Sequence, residues 1–213
     1  MIKLSASTLN LFLECPRCFW LRIKKGIKRP ERPLPSITQG MDSIIKEYFN
    51  LFREKKILPP FLEKKLSAKL IEYLPKSLYY KPPQSDFLLW GKLDECIVFQ
   101  DNTYAALDHK TRGSAPQSIH DSFKFQMDVY TLLLEENGYK TKKKAVLVYY
   151  YPIKAQALYG FDFEIDVHII DTNPEFAKEV FERAIKILES DDIPESSPNC
   201  EFCKWIRGVK SYF

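Results

Sequence analysis

No stretch of this 213-residue chain approaches the roughly 20 consecutive apolar residues that a membrane-spanning helix needs. Its opening, Met1-Ile2-Lys3-Leu4-Ser5, does not begin a signal peptide. A soluble, cytoplasmic protein with no membrane partner is therefore expected. Histidine is scarce: His109, His120 and His168 are too scattered to suggest a histidine-based metal site. There is no internal repeat, no low-complexity segment and no clear linker. With 45% hydrophobic residues, the chain can bury one good-sized core but hardly two. A single domain, 1–213, is expected, with an N-terminal helical part (1–85), a central sheet and helix (86–170) and a C-terminal helix with its tail (171–213).

The net charge of +4 and isoelectric point near 8.6 are compatible with a polyanionic partner without requiring one. Aromatic residues make up 14% of the chain, so most rings must be core while a minority are free to stack on bases. Basic side chains gather at Lys24, Lys25, Lys28, Arg29 and Arg32, and again at Arg112, Lys124 and Lys140 to Lys144. They suit phosphate contacts or simply solvated loops.

Order along the chain suggests an α/β (α+β) fold with a central mixed sheet flanked by helices. Ser5 is a natural N-cap for a helix through residues 5–23. A second helix is expected from Thr38 to Lys55, with Ile44, Ile45, Tyr48, Phe49 and Phe52 as its apolar stripe. Pro59-Pro60 ends it, and a short helix is expected within 61–74. Residues 86–99 and 103–111 read as strands joined at Gln100-Asp101-Asn102, hence a β-hairpin. A helix over 118–136 stops at Asn137-Gly138. Strands at 143–151 and 160–170 follow, then a helix from Asn173-Pro174 to Ser190.

If the hairpin turn sets Phe99 opposite Thr103, Asp94 lies across from Asp108, and Lys110 shares the face of Asp108. Two carboxylates so close repel unless a cation lies between them. A hard divalent ion, Mg²⁺ or Mn²⁺, prefers carboxylates plus water and a phosphate oxygen. The same residues also suit an ordinary cross-strand ion pair on a solvated hairpin.

Four of the five cysteines form two Cys-x-x-Cys pairs, Cys15/Cys18 and Cys200/Cys203, at opposite ends of the chain. In a reducing compartment they read as metal ligands sooner than as disulfides. If the ends meet, four thiolates can bind one centre. Zn²⁺ and a [4Fe–4S] cluster use the same ligand set, so spacing does not choose between them. The fifth, Cys96, reads as core.

In Gly91-Lys92-Leu93-Asp94, Asp108-His109-Lys110, Gln126-Met127-Asp128-Val129-Tyr130 and the N-terminal Ser5-Ala6-Ser7-Thr8-Leu9 leading to Cys15-Pro16-Arg17, the chain resembles the PD-(D/E)XK nuclease superfamily. Within it, the chain is similar to the RecB-like group of CRISPR-associated exonucleases and AddB-type subunits. The resemblance covers nearly the whole chain and implies one restriction-endonuclease-like nuclease domain. It implies a Mg²⁺- or Mn²⁺-dependent deoxyribonuclease, an exonuclease acting on single strands or ends, with a helicase, DNA-repair or CRISPR partner. Asp94 and Asp108 would be metal ligands, joined by the His109 carbonyl, with Lys110 catalytic and Gln126 and Tyr130 directed at the DNA or the site. The histidine that relatives carry after a glycine on the second helix is missing here. After Gly40 the nearest substitute ligand is Asp42, with Glu47 second. For the cysteines the resemblance implies a [4Fe–4S] cluster, with structural Zn²⁺ as the alternative. Relatives, however, place one cysteine N-terminally and three C-terminally, where this chain has two and two. The competing reading is a catalytically weak scaffold that binds DNA or a helicase.

Overall fold

The computed structural model describes residues 1–30, 36–153 and 162–212. Arg32 and the expected beginning of a strand at 160–161 lie outside them. Strand β1 (Ile2–Leu4) leads into α1 (Ala6–Glu14) and α2 (Pro16–Lys24). Helix α3 (Ser36–Glu54), the one-turn α4 (Pro60–Glu63) and strands β2 (Ala68–Leu70), β3 (Leu78–Tyr80) and β4 (Phe87–Gly91) follow. Next come β5 (Glu95–Phe99), β6 (Tyr104–Thr111), α5 (Asp121–Glu136), β7 (Lys144–Ile153) and β8 (Asp162–Asp171). Helices α6 (Pro174–Glu189) and α7 (Glu201–Val209) close the chain.

The strands form a five-stranded sheet, β2-β5-β6-β7-β8, and a small one, β1-β4-β3. All pairs in the larger sheet are antiparallel except β6 and β7, which run parallel. A parallel pair needs a crossover, and α5 supplies it. Helix α5 lies on one face of the sheets, with α1 and α6 packed beside it; α3 lies against the other face of β6. Two buried layers result. Leu9, Phe19, Cys96, Ala106, Leu133 and Phe181 belong to the first, and Phe49, Leu62, Ile97, Leu107 and Val148 to the second. Full burial of each large apolar side chain contributes about 1.5–3 kcal/mol. The mixed α/β fold, with its two termini brought close, matches expectation.

Several local expectations need correction. The helix expected over 5–23 is two helices, because Pro16 pushes Cys15 out of the helical region to φ −159°, ψ 107°. Ser5 does cap the first. The segment 86–99 is two strands in different sheets, interrupted at Lys92–Asp94. Only α4 is helical between 61 and 74, and β2 follows it. On α3, Ile45 and Phe49 are buried, whereas Ile44 and Tyr48 are exposed, because α3 shows the sheet a narrower stripe than expected. Strand β3 and helix α7 were not anticipated.

Candidate active site and a four-cysteine cluster

The turn between β5 and β6 is built by Asp101, whose side chain accepts from the Thr103 backbone N–H at 3.3 Å and hydroxyl at 2.7 Å. Asn102 takes the left-handed conformation (φ 58°), which asparagine tolerates well. That turn imposes the expected register: Glu95 pairs with Leu107, Cys96 with Ala106 and Val98 with Tyr104. One step beyond the ladder, Asp94 comes opposite Asp108, and its Oδ2 accepts the backbone N–H of His109 at 3.2 Å.

Asp108 is 2% exposed and ion-paired with Lys110. The Lys110 ammonium also donates to Gln126 Oε1 at 2.9 Å. Gln126 Nε2 donates in turn to Asp108 Oδ1 at 3.2 Å and to the Tyr130 hydroxyl at 3.0 Å. Gln126 and Tyr130, one helical turn apart on α5, thus join Asp108 and Lys110 in one network. Phe123 lies 4.7 Å under the ammonium and shields it on one side. Burial raises the Asp108 carboxyl above its usual range; Lys110 opposes this and the neighbouring Asp94 adds to it. Asp108 Oδ2 receives no hydrogen bond of acceptable geometry and is held only by the charge of Lys110. Adjacent carboxylates with an underbonded oxygen fit a hard divalent cation.

The other face of β6 carries the His109 side chain. Its ring packs edge-on against Phe49, with centroids 4.5 Å apart, and its Nδ1 pairs with the Tyr150 hydroxyl at 3.2 Å. Burial holds the imidazole well below its usual range, against the pull of Asp94 and Asp42. Asp42, on α3, is ion-paired with Lys46 at 2.5 Å and half exposed. Asp42 is not joined to the carboxylate pair. Among the described residues, the one set of three or more acidic, histidine or cysteine ligand atoms within mutual reach is the cysteine set.

One buried pair beside the site was missed. Glu95, 2% exposed, is ion-paired with Arg53, which also donates to the Ile71 carbonyl at 2.7 Å. Burial raises the Glu95 carboxyl, with Arg53 opposing and Asp94 reinforcing. The signal was available: a charged residue at an inward strand position must have a partner. Beside Gln126 and Tyr130 opens a cleft of about 240 Å³, also lined by Ser5, Ser7, Trp90 and Lys92.

The two cysteine pairs are built alike. Cys15 and Cys200 are the N-cap residues of α2 and α7, and Cys18 and Cys203 sit in the first turns. Free N–H groups at a helix start favour thiolate. Although burial opposes it, N–H donation from Cys18 and Ser197 leaves Cys15 below the ordinary thiol value. All four side chains are buried and their sulfurs lie within 4.8 Å of one another. Arg29 donates to Cys200 Sγ at 3.3 Å, pairs with Glu14 at 2.5 Å and covers the Phe202 ring at 4.6 Å. Cys96 is fully buried in the core, and burial pushes its thiol up to about 12.

The family model for the PD-(D/E)XK nuclease superfamily matches residues 43–207. Among curated proteins no relative matches. Two solved structures are similar: the crystal structure of SSO0001 and that of an alkaline exonuclease (LHK-Exo) from Laribacter hongkongensis. The first is 16% identical, covering 97% of this chain and 84% of that one, with a TM-score of 0.48. The second is 11% identical, covering 99% and 92%, with a TM-score of 0.46.

Proposed function

This chain belongs to the PD-(D/E)XK nuclease superfamily, and we propose that it is a Mg²⁺- or Mn²⁺-dependent deoxyribonuclease acting on single strands or ends. The observation that carries the reading is the network Asp108–Lys110–Gln126–Tyr130 with Asp94 alongside. Such a network orders a lysine and a carboxylate around one point, which a solvated hairpin would not do.

Asp94 and Asp108 would hold the divalent ion, with the His109 carbonyl completing the protein's share of ligands. When bound, the ion supplies Lewis acidity, offsetting charge on the phosphodiester and its leaving oxygen. Lys110, held by Asp108 and Gln126, orients the attacking water and stabilises charge building on the phosphoryl oxygens. The water oxygen forms the new P–O bond as it gives up a proton to solvent, the bridging P–O bond breaks, and the leaving oxygen takes a proton from solvent. Gln126 binds Lys110 through its oxygen and Asp108 through its nitrogen, so it fixes the distance between them. The adjoining cleft, with Lys92, Ser5 and Ser7 on its wall, suits a flanking phosphate.

The four cysteines clip the two ends of this one nuclease domain together through a metal centre, and phosphodiester hydrolysis asks no electron transfer of it. A cytoplasmic setting with a helicase, repair or CRISPR partner agrees with the RecB-like resemblance. No helix among the described residues is long and apolar enough to cross a membrane.

A second reading, a catalytically weak scaffold that binds DNA or a helicase, draws on Asp42: it is engaged by Lys46 and no histidine stands in its place. Wild type and Asp108→Asn, compared on labelled single- and double-stranded DNA with Mg²⁺, Mn²⁺ or EDTA, separate the two. Metal-dependent cutting that falls by roughly 100- to 1,000-fold in Asp108→Asn, with melting temperature retained, supports the nuclease. Equal cutting by both proteins removes Asp108 from the mechanism. DNA binding without cutting by wild type leaves the scaffold.

A further inference from the structure

We propose that the four cysteines hold one zinc ion rather than the [4Fe–4S] cluster that the RecB-like resemblance implies. Cys15 and Cys203 sulfurs are 3.8 Å apart, and Cys18 lies 3.6 Å from both Cys200 and Cys203. Four thiolates around one ion at Zn–S bonds of about 2.3 Å form a tetrahedron with edges of about 3.8 Å. In a [4Fe–4S] cluster each thiolate binds a different iron at a corner of a cube, which sets the thiolates roughly 6 Å apart. No pair of sulfurs here exceeds 4.8 Å. The enclosed space fits one ion and not an eight-atom cluster.

Opening the site would mean drawing α2 and α7 apart, and the surroundings resist that. On α2, Phe19 and Trp20 are buried in the core. The same helix is tied to the segment that leads into α7: Arg17 Nε donates to the Pro194 carbonyl, and Lys24 Nζ to that of Ser190, both at 2.9 Å. The ligand pattern agrees. Two Cys-x-x-Cys pairs, each an N-cap and first-turn residue of its own helix, approach one centre from two sides. A zinc tetrathiolate carries two net negative charges. The two helix starts and the Arg29 guanidinium at Cys200 supply compensating positive potential. Arg29 is thus a positioning residue for the centre.

The test is metal content and spectrum after anaerobic purification from cells supplied with iron and zinc, followed by reconstitution of stripped protein with ferrous iron and sulfide or with zinc alone. The expected result is about one zinc per chain, no acid-labile sulfide, no absorbance near ~400 nm and an X-ray absorption shell of sulfur alone at about 2.3 Å. Zinc alone should restore the melting temperature of the purified protein. Arg29→Ala should lose zinc to a competing chelator roughly 10- to 100-fold more readily. A brown protein with about four irons per chain, as purified or as the more stable reconstituted form, overturns the proposal. So does a native protein whose four thiols react freely and which holds no metal.

Discussion

Gly91 ends β4 directly beneath α5, and a methyl group there would have nowhere to go. A Cβ built on it would stand 2.7 Å from Leu133 Cδ1 and 3.0 and 3.3 Å from two ring carbons of Tyr130. Leu133 is fully buried and cannot swing away, and Tyr130 is tied to Gln126. Gly91→Ala should therefore lift α5 off the sheet. Overpacking of this kind costs about 1–3 kcal/mol. At roughly 2–4 °C per kcal/mol for a chain of this size, the melting temperature should drop by about 2–12 °C. Because α5 carries Gln126 and Tyr130, cleavage should fall further than stability does, measured well below the melting transition. Leu133→Ala alone should cost about 2–5 kcal/mol. In the double variant the two losses should be clearly less than additive, since the cavity accepts the methyl. A Gly91→Ala protein with unchanged melting and unchanged cutting would refute the claim that this close approach sets the position of α5.

Two further outcomes are expected. Gln126→Ala should lower the rate of cleavage with little effect on DNA binding, because it frees Lys110 and Asp108 without removing either; equal losses in rate and binding, measured in single-turnover and binding assays, would make Gln126 a DNA contact instead. Burial raises Asp128 from 3.8 to about 6, against the Asn173 N–H that its carboxylate accepts at 2.7 Å. The group's contribution is thus fully present below its ordinary value and lost as pH rises through about 6. Asp128→Asn should accordingly stabilise the protein at pH 8 more than at pH 4, by about 1 kcal/mol after discounting for partial exposure, and thermal melts at the two pH values check it.

What could be read from the residues was whatever depends on short-range chemistry. Gln100-Asp101-Asn102 is a turn by its side chains alone, and the turn dictates the register that sets Asp94 opposite Asp108. The Gln126–Tyr130 spacing holds on any helix. The two Cys-x-x-Cys pairs mark candidate metal ligands, and the fold brings all four together. What escaped depends on distant partners. The break in 86–99 is invisible because Phe87–Gly91 and Glu95–Phe99 are both apolar strands, and only pairing with β1 and β3 on one side and with β2 and β6 on the other separates them. Arg53 finds Glu95 across 42 residues. Ile44 and Tyr48 fit a helical stripe as well as Ile45 and Phe49 do, and only the packed fold shows which of the four are buried. The ligand set of the cysteines is the same for zinc and for a cluster, so the choice between them needs the spacing of the four sulfurs, which no sequence carries.

A chain of contacts through α1 and α5 runs from the cysteine cluster towards the carboxylates. Cys15 ends α1 and begins α2, so a metal bound by the proposed centre would fix the exit of α1. Helix α1 packs on α5, and Asn10 Nδ2 donates to the Ser122 carbonyl in the first turn of that helix at 3.0 Å. Four residues on stands Gln126, and four more Tyr130. Removing that metal would free two helix starts and leave four buried cysteine side chains facing one another, so α1 should lose its anchor before the sheet loses anything. Cleavage should thus decline on metal removal at temperatures where the sheet remains folded, although no cysteine belongs to the catalytic network. Far-ultraviolet circular dichroism with cutting measured on the same chelator-treated sample tests this. Activity that persists undiminished until the whole fold melts would show that the centre serves stability alone.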